Sequence, residues 1–139
     1  MSNPLTNEAI YRQNLASIIA CLQRGCKDEQ LLGVEFENIL VKSGSFEPVT
    51  YSEPNGVLEV LRRLSAHYDS LLTEDGHVLG LASDTCEERV TLEPGAFVEY
   101  SSAPLQTVGQ VEQAFRKFRK QLLPILDDLD LSLAELGYH

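Results

Sequence analysis

Two short stretches of this chain set carboxylates at even spacing inside apolar runs. The first is Gly33-Val34-Glu35-Phe36-Glu37; the second is Thr91-Leu92-Glu93-Pro94-Gly95-Ala96-Phe97-Val98-Glu99-Tyr100-Ser101-Ser102-Ala103-Pro104. Residues two apart on a β-strand share a face, so Glu35 and Glu37 point the same way, about 6.5–7 Å apart along the chain. Glu93 and Glu99 share that parity if the strand is regular between them. Carboxylates lined up on an apolar sheet need cations or water. Mg²⁺ suits them, because it takes oxygen ligands and keeps waters and substrate phosphates in its shell. Such ions would neutralise a triphosphate while a carboxylate, itself anionic, attacks it. An amphipathic strand with a wet face would also carry glutamates at these positions, and Glu47, Glu53, Glu74, Glu87 and Glu88 show how freely the chain uses them. For the short first pattern alone the plain reading weighs more. The longer second cluster carries the argument.

The elements that must hold these residues are legible from periodicity. Ile10, Ile18, Ile19 and Leu22 recur at helical spacing over Glu8 to Gln23, with Gly25 as the stop. Leu31 to Lys42 reads as a strand with Leu32, Val34 and Phe36 on one face and the glutamates, Ile39 and Val41 on the other; Ser43-Gly44-Ser45 breaks it. Pro54 fits the first turn of a second helix carrying Val57, Leu58, Leu61 and Leu64, with Ser52 or Glu53 at its start. Strands over Asp69–Thr73 and His77–Leu81 are joined through Glu74-Asp75-Gly76, a hairpin signal. A further pair spans Glu88–Leu92 and Ala96–Ser101, joined across Pro94-Gly95. Thr107-Val108-Gly109-Gln110 fits a capping box, opening a helix whose stripe runs Val108, Val111, Phe115, Phe118, Leu122, Ile125 and Leu126. Arg116, Lys117, Arg119 and Lys120 lie mainly off that stripe and read as a solvated face. Pro124 should kink or end the helix. Leu129 to Leu136 heads into a new element and stops at Gly137-Tyr138-His139, which suggests a continuation.

The expected fold is α/β (α+β): one domain over residues 1–139, a small and mostly antiparallel sheet of four to six strands packed by about three helices. A net charge of −10 and a pI near 4.6 argue against nonspecific binding to nucleic acid or to an anionic membrane. No apolar run approaches the ~20 residues of a membrane span, and no signal peptide is evident, so the expected compartment is cytoplasmic. Cys21, Cys26 and Cys86 lack the C-x-x-C spacing of zinc and redox motifs and read as reduced, buried or half-buried thiols. His67, His77 and His139 are too scattered for a zinc site.

Leu92-Glu93-Pro94-Gly95, then Glu99, then Ser101-Ser102-Ala103-Pro104, resembles the signature of glutamate–cysteine ligases of the plant and actinobacterial type. There a strand reading approximately L-E-P-G-G-Q-x-E-x-S-x-x-P runs into a long helix, and Gly33-x-Glu35-x-Glu37 is similar to the family's earlier G-x-E-x-E strand. The resemblance covers roughly residues 31–139. It implies an ATP- and Mg²⁺-dependent (or Mn²⁺-dependent) ligase acting on glutamate and cysteine through a γ-glutamyl phosphate. The implied fold is a glutamine-synthetase-like antiparallel sheet curved into a funnel. Carried over by position, Glu35, Glu37 and Glu99 would be metal ligands near the ATP phosphates, with Glu93 a further candidate, and Gly95, Ser101 and Ser102 would line the substrate pocket.

Ala96 and Phe97 stand where the family usually has Gly-Gln, which puts the substrate contacts there in doubt and opens the way to another amine acceptor. Family members run to several hundred residues, so this chain reads as an N-terminal portion, inactive alone, with sheet edges open to self-association. The alternative is a non-catalytic interaction module derived from the ligase fold.

Overall fold

Alternation of side-chain type sorts the faces of the glutamate-bearing strands, and the computed structural model describes residues 7–95 and 97–134. The chain divides at Gln30 into two units. The first holds α1, Asn7–Gly25, close to the expected span. None of its residues is buried: Ile10, Leu15, Ile18, Ile19 and Leu22 are all exposed. Cys21 and Cys26 are exposed as well, against the expectation of buried thiols, because α1 buries no face on which to hide them.

The second unit, from Leu31 on, runs β1 (Glu35–Lys42), α2 (Val57–Leu64), β2 (Ser70–Glu74), β3 (His77–Ala82), β4 (Arg89–Glu93), β5 (Phe97–Ser101), α3 (Val108–Asp128) and β6 (Leu131–Ala134). The six strands form one sheet in the order β2-β3-β4-β5-β1-β6, with every pairing antiparallel. This is the expected α+β architecture. The start of the strand anticipated at Ala96 and the end of the segment running to Leu136 lie outside the described residues.

Helices α2 and α3 pack on one face of the sheet. Leu40, Leu81, Val90, Val98 and Tyr100 meet Val60, Leu61 and Leu64 of α2 and Phe118, Leu122 and Leu126 of α3 in a single core. The Tyr100 and Phe118 rings stack at 4.7 Å, and Phe36 meets Phe115 at 4.4 Å. On β1 the alternation therefore sends Phe36 and Leu40 to the helices and Glu35 and Glu37 to the opposite face, as the pattern implied.

Two helix boundaries differ from expectation for local reasons. α2 starts at Val57 rather than at Pro54, and its N-cap, Gly56, has no side-chain cap bond. Backbone carbonyls of the preceding loop satisfy the first turn instead: the Val57 N–H donates to Thr50 O at 3.1 Å and the Leu58 N–H to Tyr51 O at 3.0 Å. In α3 the capping box is complete, Thr107 Oγ1 accepting from the Gln110 N–H and the Gln110 side chain from the Thr107 N–H. The helix then runs through the exposed Pro124 to Asp128; the buried Leu122 and Leu126 hold the turns on either side of the missing N–H.

β1 changes partners midway. Glu35–Asn38 pair with β5 and Ile39–Lys42 with β6. Asn38, buried at the change-over, donates through Nδ2 to Phe36 O at 2.9 Å and Val98 O at 3.1 Å, using its amide to close the end of the ladder.

Candidate functional site

Three strands bring the sequence-predicted residues to the sheet face turned away from α2 and α3. β4 and β5 form a hairpin in which Glu93 pairs with Phe97 and Thr91 with Glu99. Glu93 and Glu99 thus sit on two strands, and the register of the hairpin keeps them on one face. Gly95 adopts φ +87°, in the left-handed region that glycine enters without penalty. A Cβ there would also come within 3.2 Å of the Phe97 ring. Ala96 lies outside the described residues.

Across the other ladder, Glu37 stands directly opposite Glu99 and Glu35 opposite Ser101. Two rows result, Arg89–Ser101–Glu35 and Thr91–Glu99–Glu37. Like charges directly opposite one another on neighbouring strands, with Cβ atoms about 4.5–5.5 Å apart, are destabilising unless a cation or water intervenes. Glu99 is only 9% exposed, whereas Glu35, Glu37 and Glu93 are open to solvent. Ser101 Oγ donates to Glu99 Oε1 at 3.1 Å, and Thr91 Oγ1 is 3.4 Å from the same oxygen. The two hydroxyls fix the carboxylate through one oxygen and leave Oε2 for another partner.

Ser102 has a different job. Its hydroxyl accepts from the Val34 N–H at 3.2 Å and donates to Ala103 O at 2.8 Å, while its own N–H donates to Val34 O at 2.9 Å. With Leu32 and Leu105 exchanging backbone bonds, the segment after β5 is zipped to the segment before β1. That clamp sets the register that places Glu37 against Glu99.

Among the described residues no group of three or more His, Cys, Asp or Glu side chains converges to hold a metal ion. The four glutamates do not share one centre: Glu93 lies one row below Glu99 and Glu35 one row above. The Glu37–Glu99 pair nevertheless fits Mg²⁺ or Mn²⁺ in kind. It offers acceptor-only oxygens, Glu99 Oε2 among them without a donor among the described residues, and Mg²⁺ is commonly bound by one or two carboxylates plus substrate phosphates rather than by an all-protein cage.

The helix side holds a second polar group. Lys117 pairs with Glu88 at 2.7 Å, so this lysine ties α3 to the segment entering β4 and is not simply solvated. Arg116 is taken by Glu112, and Arg119 lies over the Phe115 ring. The Tyr100 hydroxyl is buried beside the Glu88 carboxylate, without good hydrogen-bond geometry to it. Burial, reinforced by the charge of Glu88, pushes both Tyr100 and Tyr68 above the ordinary tyrosine range. A surface groove of about 550 Å³ between Phe115, Arg119 and Leu123 runs along α3, on the side of the sheet away from the carboxylates. Sequence reasoning passed over Thr91 and Arg89; the parity that relates them to Glu93 is the signal that marks them.

Residues 31–139 match the model of glutamate–cysteine ligase family 2. The chain is 25% identical over 141 residues to glutamate–cysteine ligase A, chloroplastic, of Oryza sativa subsp. japonica, an alignment covering 99% of this chain and 26% of the relative. It is 25% identical over 137 residues to the chloroplastic glutamate–cysteine ligase of Medicago truncatula, covering 96% and 25%. With the chloroplastic enzyme of Arabidopsis thaliana it shares 24% over 143 residues, covering 99% and 26%. The chain spans about a quarter of the length of these relatives.

Proposed function

The chain belongs to glutamate–cysteine ligase family 2, and on that premise we propose that it supplies part of the metal- and nucleotide-binding face of an ATP-dependent ligase. In the reaction proposed, the γ-carboxylate of glutamate attacks the terminal phosphorus of ATP and releases ADP. The cysteine amine then attacks the acyl phosphate and expels phosphate, leaving γ-glutamylcysteine. The observation that carries this reading is Glu37 facing Glu99, with Glu99 oriented by Thr91 and Ser101. Glu37 and Glu99 would hold Mg²⁺ or Mn²⁺, with Glu35 and Glu93 flanking. When bound, the metal supplies charge neutralisation at the phosphates. Gly95 and Ser101 would line the substrate side, and Ser102 would act through the register clamp.

Mn²⁺ titration followed by electron paramagnetic resonance tests the site. Glu99→Gln removes one ligand oxygen's charge while keeping its shape, and should weaken Mn²⁺ binding at least tenfold. Equal binding by wild type and variant would remove Glu99 from the metal site. The 139 residues alone are proposed not to turn over, since among the described residues the carboxylate face offers a single arginine where phosphoryl transfer calls for a cationic clamp. ADP release dependent on glutamate and cysteine, abolished by Glu99→Gln, would overturn that.

One observation favours a variant of this reading. Phe97 projects on the carboxylate face, two residues from Glu99, where the family's usual glutamine would offer an amide. An apolar ring there suits a different amine acceptor, and comparing acceptors in a full-length enzyme decides the matter. No helix among the described residues is long and apolar enough to cross a membrane. The cytosol is the compartment we propose, although the relatives named are chloroplastic; imaging a tagged copy in its native cell tests it. Self-association through the edge strands β2 and β6, also the basis of the non-catalytic alternative, is open to sedimentation equilibrium.

A further inference from the structure

Arg89 opens β4 on the carboxylate-bearing face. Alternation places it there: Val90 is fully buried against the helices, while Thr91, the neighbour on either side of which Val90 and Leu92 turn inward, reaches Glu99 Oε1. Register then sets Arg89 opposite Ser101, with Ser101 opposite Glu35. Two strand spacings, roughly 10 Å, separate the Arg89 and Glu35 backbones, and Glu99 lies on the diagonal.

Six of the eleven Lys and Arg side chains are held by carboxylates elsewhere. Arg12, Lys42, Arg62, Arg63, Arg116 and Lys117 all form ion pairs. Arg89 is exposed and forms none among the described residues, in a chain of net charge −10. Its neighbours on β3 are small, Ala82 directly opposite and Gly80 opposite Thr91, so the floor beside the guanidinium is low.

We propose that Arg89 is an oxyanion-binding residue of this site, its guanidinium gripping an anionic substrate that reaches the Glu37–Glu99 pair through the metal. This inference rests on the ligase reading above. That chemistry crowds a polyphosphate and substrate carboxylates onto a face already bearing Glu35, Glu37 and Glu99. A divalent ion offsets part of the charge; a fixed cation offsets more. Arginine suits the task because it stays charged and its planar fork matches phosphate or carboxylate oxygens two at a time. Its spacing matters equally. Arg89 lies on the diagonal from Glu99 and two strands from Glu35, yet forms an ion pair with neither among the described residues, so a polyphosphate chain or an amino acid can be held between them. Both candidate anions present the same oxygen pair, and experiment separates them.

The test uses the 139-residue chain as wild type, Arg89→Ala and Arg89→Lys. Each is titrated with Mn²⁺ alone by electron paramagnetic resonance, then at saturating Mn²⁺ with inorganic tripolyphosphate and, separately, with L-glutamate by calorimetry. Arg89→Ala should bind Mn²⁺ as well as wild type or better and bind one anion about tenfold or more weakly, the scale of a lost charge-assisted hydrogen bond. Arg89→Lys should recover part of that loss and stands in if the alanine variant fails to fold. A loss confined to tripolyphosphate assigns the residue to the nucleotide; one confined to glutamate assigns it to the amino acid. Anion binding unchanged in Arg89→Ala, or absent in a wild type that does take up Mn²⁺, overturns the inference alone. A wild type that takes up no Mn²⁺ sinks the metal–nucleotide reading and this inference with it.

Discussion

Glu99 and Tyr100 are adjacent on β5 and show how a single strand serves two environments. Glu99, almost buried, is held by Ser101 and Thr91, whereas Tyr100 points the other way and stacks on Phe118. Tyr100 is 1% exposed, and its hydroxyl faces the Glu88 carboxylate without good hydrogen-bond geometry; a buried polar group so poorly paired costs about 1–3 kcal/mol. Tyr100→Phe should therefore stabilise the fold by about 1 kcal/mol, read as a higher urea midpoint at unchanged slope. Its raised pKa has a pH consequence. Near and above pH 10 the unfolded chain loses the phenolic protons that the folded chain keeps, so stability is level below the unfolded value and falls as pH rises beyond it. Tyr68 acts in the same sense. Urea unfolding from pH 8 to 11 should show that decline, shallower in Tyr100→Phe; a flat profile would contradict it. At this scale the sequence was informative about Glu35, Glu37 and Glu99, because alternation alone sorts them from Phe36 and Val98. Arg89 escaped notice because beside Glu87 and Glu88 a charged residue at a strand start looks merely solvated. Only the paired register exposes its place.

Among the elements, α2 is the clearest case of structure set by distant backbone. Its first N–H groups are bound by Thr50 and Tyr51 carbonyls, and a Cβ on Gly56 would lie 2.5 Å from Thr50 O and 2.7 Å from Glu53 O. Gly56→Ala must push the loop off the helix, and overpacking of this kind costs about 1–3 kcal/mol. Thermal unfolding followed by circular dichroism checks it; a variant as stable as wild type would mean the loop does not cap the helix. This explains why Pro54 misled as a helix start. Proline at a first turn is a local rule, while the carbonyls that begin α2 come from a loop fold invisible to local rules. The capping box of α3 was legible for the opposite reason, since Thr107 and Gln110 lie three residues apart and satisfy each other. The β2–β3 turn was equally local: Asp75 and Gly76 both take positive φ, as a two-residue hairpin requires.

In the unit from Leu31 on, the six-stranded sheet separates duties by face: the main apolar core under α2 and α3, and on the other side the glutamates and hydroxyls beside Phe97 and the buried Ile39 and Val41. The alternating pattern made that division readable in advance. The strand order, the midpoint change of partner on β1 and the clamp through Ser102 were not readable, because they depend on pairings between residues 60 to 95 positions apart. That change of partner has a consequence in time rather than in space. The half of β1 bearing Glu35 and Glu37 pairs with β5, whereas the half from Ile39 on pairs with β6 and buries Ile39, Leu40 and Val41. Between the Ser102 clamp and the change-over the outer half has one strand to lose, so it can open while the inner half stays in place, and amide protons at Phe36 and Glu37 should exchange with solvent deuterium well before those of Leu40 and Val41. Mn²⁺ should slow the first pair and leave the second unchanged. Uniform exchange along β1, insensitive to the ion, would show that the strand opens as one piece. A clock that runs at two speeds on one strand would make β1 a built-in record of when its glutamates are in use.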